Sequence, residues 1–271
     1  MREQEEEASG PNAGRMSFSL YSDFTTAYFF RGILQERNGF IWEPSADLSI
    51  NVYAGDGTLA SVDLGFNVWN SVHSNKTLAD GSGPSNLYET DYTPSITLGW
   101  SNGFETSLSY PIFTSPNGAF STVQQIDVGI AYDDSELLGP FALAPAVTFS
   151  FETDNTNFGT GKKGGFFELA GGPSFDLPLD DEGNYPITTS VPLALGLSLY
   201  NYYDDGTSDD TFGFFSFGLT ASVPLAFIPE DFGTWSAGAG INVLVLSTTL
   251  KDINMGDSPF PIGTASISME Y

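Results

Sequence analysis

Cysteine is absent, histidine occurs once, and lysine and arginine together number only 8 in 271 residues. Without cysteine there is no disulfide framework, no thiol nucleophile and no thiolate metal site. With 34 acidic side chains and a formal charge of -26, the chain is ill suited to nucleic acid and to electrostatic docking on anionic lipid. No stretch approaches the roughly 20 consecutive apolar residues of a spanning helix, which excludes a helical membrane protein. A membrane protein built from strands is not excluded, because each strand needs only about ten residues with apolar side chains at alternate positions. No positively charged stretch followed by an apolar one opens the chain, so any secretory signal is expected to have been removed or replaced.

Aromatics make up 14% of the residues, beside 30 Gly and 16 Pro, a composition that suits short strands joined by turns. Residues 1–15, "MREQEEEASGPNAGR", have too little apolar area to offset the entropy of ordering and are expected to form a flexible acidic tail. From Met16 to Tyr271 alternating segments recur without a domain break. They predict twelve strands, near 16–32, 39–54, 58–73, 86–101, 103–114, 120–134, 140–154, 164–178, 185–203, 211–226, 232–248 and 261–271. Connections after even-numbered strands are compact, as in "GDG" and "SNG". Several after odd-numbered ones are longer: "HSNKTLADGSGPSN", "DNTNFGTGKKGG", "DDGTSDD" and "LKDINMGDSPFP". "DDSELLG" and "LDDEGN" lie on the compact side without being minimal turns.

Successive side chains of a strand point to opposite sides of a sheet, so parity assigns each residue a face. One face is greasy, for example Val62, Leu64, Phe66 and Val68, or Trp235, Ala237, Ala239, Ile241, Val243 and Val245. Every strand carboxylate falls on the other face. The pattern predicts an all-β protein, a single twelve-stranded antiparallel up-and-down transmembrane β-barrel, with a soluble β-sandwich as the alternative that alternation alone leaves open. Three features favour the barrel: aromatics near strand ends (Trp42, Tyr88 and Phe167 on one side, Trp100, Phe104, Phe175, Trp235 and Tyr271 on the other), a cleanly alternating last strand ending on Tyr271, and basic residues that, outside the tail, are confined to the long-loop end. Pro44, Pro94, Pro145, Pro173 and Pro192 count against it and imply bulged or shortened strands.

The segments "TAYFFRG", "VDLGFNVWNS" and "LYETDYTPSITLGW" resemble a family of uncharacterised Gram-negative outer-membrane proteins. That family carries a Ser-Asp-Tyr-x-Phe-Arg-Gly motif, then a Gly-aromatic-x-x-Trp-x-Ser strand, then a Glu-x-Asp strand. Tyr28, Phe30, Arg31, Gly32, Trp69, Ser71, Glu89 and Asp91 match in order, while Thr26 and Ala27 stand where the motif has Ser and Asp. The resemblance covers about the first hundred residues. It implies an outer-membrane barrel and lends no catalytic residue.

The candidate lumen and constriction residues are Asp23, Arg31, Glu43, Asp47, Asp63, Glu89, Asp91, Asp127, Glu152 and Glu168. Arg31 is the one basic residue in any predicted strand and is expected to approach Glu43 across the first hairpin, either as a ligand clamp or as a salt bridge that fixes the wall. Strands nine to eleven offer Gly196, Gly218, Gly238 and Gly240 instead of carboxylates, which predicts free space beside them. The acidic face favours passive, porin-like passage of small solutes, cations above all. Alternatives are an adhesin or envelope-complex barrel with a protein partner and, more remotely, an outer-membrane lipid hydrolase depending on His73. Lipid and lipopolysaccharide are the expected surroundings. No cofactor or metal site is expected; "DDGTSDD" has oxygens for calcium without the EF-hand spacing and reads better as a solvated turn.

Overall fold

The computed structural model describes residues 14–77, 83–156, 161–178 and 186–271. Twelve antiparallel wall strands close on themselves. They are β1 (Met16–Thr25), β2 (Ile41–Ala54), β3 (Leu59–His73), β4 (Leu87–Trp100), β5 (Phe104–Ser109 with Ile112–Thr114) and β6 (Val123–Tyr132). Then come β7 (Ala146–Asp154), β8 (Gly165–Gly171 with Ser174–Pro178), β9 (Pro186–Ser190 with Leu193–Tyr200), β10 (Phe212–Pro224), β11 (Thr234–Leu246) and β12 (Phe260–Glu270). Each pairs with its neighbour in sequence, and β1 pairs with β12 from Ser19 opposite Glu270 to Thr25 opposite Thr264. Closure removes the free edges except along the lower piece of β8, Ser174–Pro178, which pairs on one side only, and pairing of the backbone in this way is the condition for a sheet to cross hydrocarbon.

The greasy face of each strand is the outer one. Leu64, Phe66, Ile126, Val128, Ile130, Phe217, Leu219 and Ile241 are all exposed on the outside of the wall. In a sandwich these side chains would form the core, so the closed sheet with an exposed apolar band decides for the transmembrane barrel. Such a band needs lipid against it, since soluble monomers rarely expose contiguous apolar area beyond a few hundred Å².

The prolines act where the chain predicts irregularity. β8 breaks at Gly172–Pro173 and β9 at Val191–Pro192, and β7 begins one residue after Pro145. Pro44 and Pro94 stay within β2 and β4, opposite Ser22 and Phe66. Residues 1–13, most of the acidic tail, lie outside the described residues, as do parts of "HSNKTLADGSGPSN" and "DNTNFGTGKKGG" and all of "LDDEGN". Arg15, assigned to the tail, already joins the wall: its carbonyl accepts from the Asn51 N–H at 2.7 Å.

The largest departure concerns strand one, predicted to run to residue 32. It ends at Thr25, and the chain turns inward as a small hairpin, Tyr28–Phe30 paired with Ile33–Glu36. Its turn is Arg31 and Gly32, with φ of 49° and 82°. Two consecutive left-handed residues make the hairpin turn whose twist matches the flanking strands. A second departure is Tyr88, assigned to the outer aromatic row. A register shift between Ser71 and Val72 on β3 and their partners on β4 turns it inward, where it is buried against the hairpin.

A folded closed barrel resists dodecyl sulfate until heated. Detergent-extracted protein is therefore expected to migrate faster on gels unheated than boiled; identical migration of both samples would contradict the closed wall.

Candidate functional site

The site is the hairpin and what holds it. Arg31 projects from the turn away from β1 and β2 toward β6 and β7. One guanidinium nitrogen, Nη1, donates to Gln125 Oε1 at 3.2 Å and to the Tyr202 hydroxyl at 3.0 Å, and Nη2 donates to Ser150 Oγ at 2.8 Å. Nη2 lies 3.8 Å from Asp127 Oδ2. Gln125 Nε2 in turn donates to both Asp127 oxygens, at 2.7 and 2.9 Å. The guanidinium plane sits 4.4 Å from the Phe166 ring centre, and the Arg31 carbonyl accepts from the Tyr203 hydroxyl at 2.9 Å. The five donors of a guanidinium suit this multiple reception better than an ammonium would. The expected pairing of Arg31 with Glu43 is therefore corrected: the turn carries Arg31 out of the strand and across the interior.

Further bonds fix the hairpin on other sides. Tyr28 donates to Glu89 Oε2 at 2.9 Å, and Tyr88 donates to Gln35 Oε1 at 2.5 Å. Asn254 ends the short helix Thr248–Ile253; its Nδ2 donates to the Gly32 carbonyl at 2.7 Å and its Oδ1 accepts from the Leu34 N–H at 2.9 Å. Around these bonds two apolar clusters fill the long-loop half of the barrel. One gathers Phe166, Tyr202, Tyr203, Phe214 and Leu250, the other Tyr28, Ile41 and Tyr88. Gln125 and Ser150 point inward from β6 and β7, yet are 0% and 1% exposed. A water-filled opening at that level would leave them wet, so this end of the barrel is filled. The predicted free space at Gly196 is taken: a Cβ there would stand 2.2 Å from the Phe214 ring.

The remaining candidate residues divide by height. Glu89 and Asp91 are buried beside the hairpin, while Glu43 stands directly opposite Asp23 across the β1–β2 ladder. Asp91 Oδ1 and Glu43 Oε1 are buried without a hydrogen-bond partner. Glu152 accepts from the Gly164 N–H at 2.7 Å. Toward the short-turn end the carboxylates bond within the wall, Asp47 to Asn67 at 2.9 Å and Asp63 to Asn51 and Ser61 at 2.8 and 2.9 Å. Glu168, Glu43 and Arg31 border one cavity of ≈ 410 Å³ directly beneath the hairpin. Among the described residues no group of three or more His, Asp or Glu side chains is arranged to hold a metal ion.

His73 proves to be part of a buried chain. Its Nε2 lies 2.8 Å from Ser71 Oγ and its Nδ1 2.8 Å from Thr77 Oγ1, and Thr77 donates to Glu36 Oε2 at 2.5 Å. Thr77 has one hydroxyl proton and gives it to the carboxylate, so it must accept from Nδ1–H. Nε2 is then the acceptor for the Ser71 hydroxyl. This is the bonding order of a serine nucleophile and its base, but Ser71 is 0% and His73 1% exposed, with the imidazole stacked 4.8 Å under Tyr88. A nucleophile so enclosed cannot meet a lipid carbonyl, and the chain instead ties β3 to the hairpin.

In "DDGTSDD" the carboxylates serve the loop itself. Asp205 Oδ1 accepts from the Thr207 and Ser208 N–H groups, each at 2.7 Å, and Asp204 pairs with Lys162 at 2.5 Å. Hydrogen bonds from Ser208 and Thr207 draw the Asp205 carboxyl down to about 2.

The hairpin partners Gln125, Ser150, Tyr202, Tyr203 and Asn254 escape a reading by sequence pattern because none is charged or part of a motif. One signal was present: an Arg-Gly pair between "YFF" and "ILQ" is a hairpin turn between two short apolar runs.

These features define a membrane-type barrel stopped from within by an N-terminal hairpin. No family model matches the chain, and no curated protein does. Among solved structures it is similar to the NanC porin, at 8% identity over 94% of this chain and 98% of that one, with a TM-score of 0.45. An outer-membrane channel from Pseudomonas putida F1 is similar at 10% identity over 100% of both chains, with a TM-score of 0.49. Outer-membrane phospholipase A from Escherichia coli follows at 11% identity over 93% of this chain and 92% of that one, with a TM-score of 0.43.

Three outcomes test the site and its loops. His73→Ala strands Ser71 and Thr77 in a buried place and should cost about 1–3 kcal/mol of stability, read from urea unfolding in detergent. Background ester hydrolysis should be the same for Ser71→Ala and the unaltered protein; a drop would reopen the hydrolase reading. For Asp205 the carboxylate is favoured by the folded loop, so its contribution is complete above the ordinary carboxylate range near 4 and is lost as pH falls toward about 2. Amide exchange at Thr207 and Ser208 should therefore quicken, relative to the intrinsic rate, over that window.

Proposed function

We propose that the protein is an outer-membrane passage for small solutes, kept shut at its outer end by the hairpin and favouring cations when the hairpin moves. The observation that carries this reading is the Arg31 anchor. A plug whose polar contacts with β6 and β7 run through the Arg31 side chain, and which is tethered at both ends to β1 and β2, can leave that side of the wall as a unit. Below it the inward faces of β10 to β12 offer Ser216, Thr220, Asn242 and Ser266, side chains that welcome water.

Support for cation preference comes from charge. Asp23, Asp47, Asp63, Asp127 and Glu168 lie on the same side of the wall as Arg31, the lone basic group there among the described residues. A low-dielectric wall focuses such a field and raises the local concentration of positive solutes. The outer membrane, with lipopolysaccharide around the long loops, is part of this proposal, and the closed strand-built span, the form that crosses that membrane, supports it. A second reading, a barrel that serves an envelope partner, is favoured by the short-turn rim, where Leu137, Phe141, Phe227 and Phe232 stand exposed.

Planar bilayers separate the two. The unaltered protein should give rare, small conductance steps. Replacing Tyr28–Glu36 by a short Gly-Ser link should open a steady conductance with a cation-selective reversal potential. Arg31→Ala, which removes a buried charge anchor of the kind worth about 3–5 kcal/mol, should raise the open time at least tenfold. Silence of the folded hairpin deletion would overturn passage and leave the partner reading.

A further inference from the structure

The wall is thin at one level, and the thinning joins two sides that a barrel keeps apart. The ladder between β7 and β8 ends with Ala146 opposite Ala170. Below it the Gly172 N–H donates to the Leu143 carbonyl at 2.7 Å, and the lower piece of β8, Ser174–Pro178, pairs with β9 alone. Between β8 and β9 the ladder stops at Gly171 opposite Leu193 and resumes at Ser174 opposite Ser190, bridged by one bond from the Val191 N–H to the Pro173 carbonyl at 2.9 Å. Pro173 and Pro192 have no N–H to add. Glycine is required beside them: a Cβ on Gly172 would stand 2.0 Å from the Val191 oxygen, and one on Gly171 2.8 Å from the Leu143 oxygen.

Three cavities flank this place. The lumen cavity of ≈ 410 Å³ beneath the hairpin reaches Pro192, Ala194 and Ser216. A second, of ≈ 380 Å³, lies at the break itself and is bordered by Gly171, Gly172, Ser190, Pro192 and Ser216. A third, of ≈ 310 Å³, opens on the outer face between Leu143, Pro145, Leu169, Leu195 and Phe215. Ala194 borders all three. The character of the lining changes along this line, from carboxylates through two serine hydroxyls to aliphatic and aromatic carbon.

We propose that the break is a lateral portal that binds a single-chain amphiphile with a cationic, hydrogen-bond-donating head. The outer groove holds the alkyl chain, the cavity at the break, where no ladder bonds cross, takes it through the wall, and Ser190 and Ser216 receive the polar end. Glu43 gives the head its sign: its Oε1 is buried without a partner and borders the lumen cavity. Two different solvents, lipid and lumen water, are offered to the two ends of one molecule, which a sealed wall would not do. The portal lies beneath the hairpin and does not require the outer end to open, so binding and conductance stand or fall separately.

Dodecylammonium is the probe, titrated calorimetrically into nanodiscs that carry the protein, with protein-free discs as the reference. Saturable one-to-one binding is expected. Ala194→Phe, which fills the junction, and Leu143→Asp, which charges the groove from a loop, should each weaken it at least tenfold. Leu219→Ala, on the outer wall elsewhere, should leave it unchanged. Glu43→Gln should weaken dodecylammonium and spare dodecanol. Folding of each variant is checked by heat-modifiable migration; should Ala194→Phe fail that check, Leu143→Asp decides. Binding no greater than in empty discs, unchanged binding in folded Leu143→Asp, or equal loss in Leu219→Ala would each overturn the portal. Equal loss of both probes in Glu43→Gln would overturn the cationic head.

Discussion

A guanidinium held across the interior organises the long-loop half of this barrel. Taking a positive charge out of water is costly unless it is received by polar groups, and the structure supplies three hydrogen bonds and one carboxylate from three directions: β6 with Gln125 and Asp127, β7 with Ser150, and the segment after β9 with Tyr202. That reception fixes where the hairpin must lie. The hairpin then supplies apolar side chains to two clusters, and the clusters exclude water from the inner wall. Without Arg31, Asp127 would lose the cation that stands 3.8 Å from it.

The interior is therefore two regions with different physics. Near the long loops it resembles a packed core, where glycine makes room for rings, as Gly196 does for Phe214. Nearer the short turns it is a polar wall whose carboxylates bond to neighbouring asparagine and serine, as Asp47 and Asp63 do. One composition serves both because the alternation that makes the outside greasy leaves the inside free to vary. The His73 chain lies in the long-loop region and shows how a nucleophile-like bonding order arises from nothing more than satisfying buried hydroxyls.

Strand alternation made the wall legible: Leu64 and Phe66 face outward because neighbours two apart must share a side, and the closed sheet follows from twelve such segments. The bends at Pro173 and Pro192 were legible for the same local reason. What stayed hidden depended on contacts between distant residues. Arg31 sits inside an apparently continuous alternation, and only the two left-handed residues of its turn reveal that the strand has ended. Tyr88 was misassigned because a bulge shifts parity by one, and parity reasoning has no memory of such a slip. The partners of Arg31 are neutral and far apart in the chain, which leaves no pattern to find.

That distance has a consequence for how the molecule comes to be. The hydrogen bonds from Arg31 to Gln125, Ser150 and Tyr202 span 94, 119 and 171 residues. Contacts of such long range form late, because the loops they close are long. The Arg31 anchor needs the far side of the wall and the segment beyond β9 in place, whereas Tyr28–Glu89 and Thr77–Glu36 hold the hairpin over 61 and 41 residues. The near contacts place the hairpin, and the far ones close the seal.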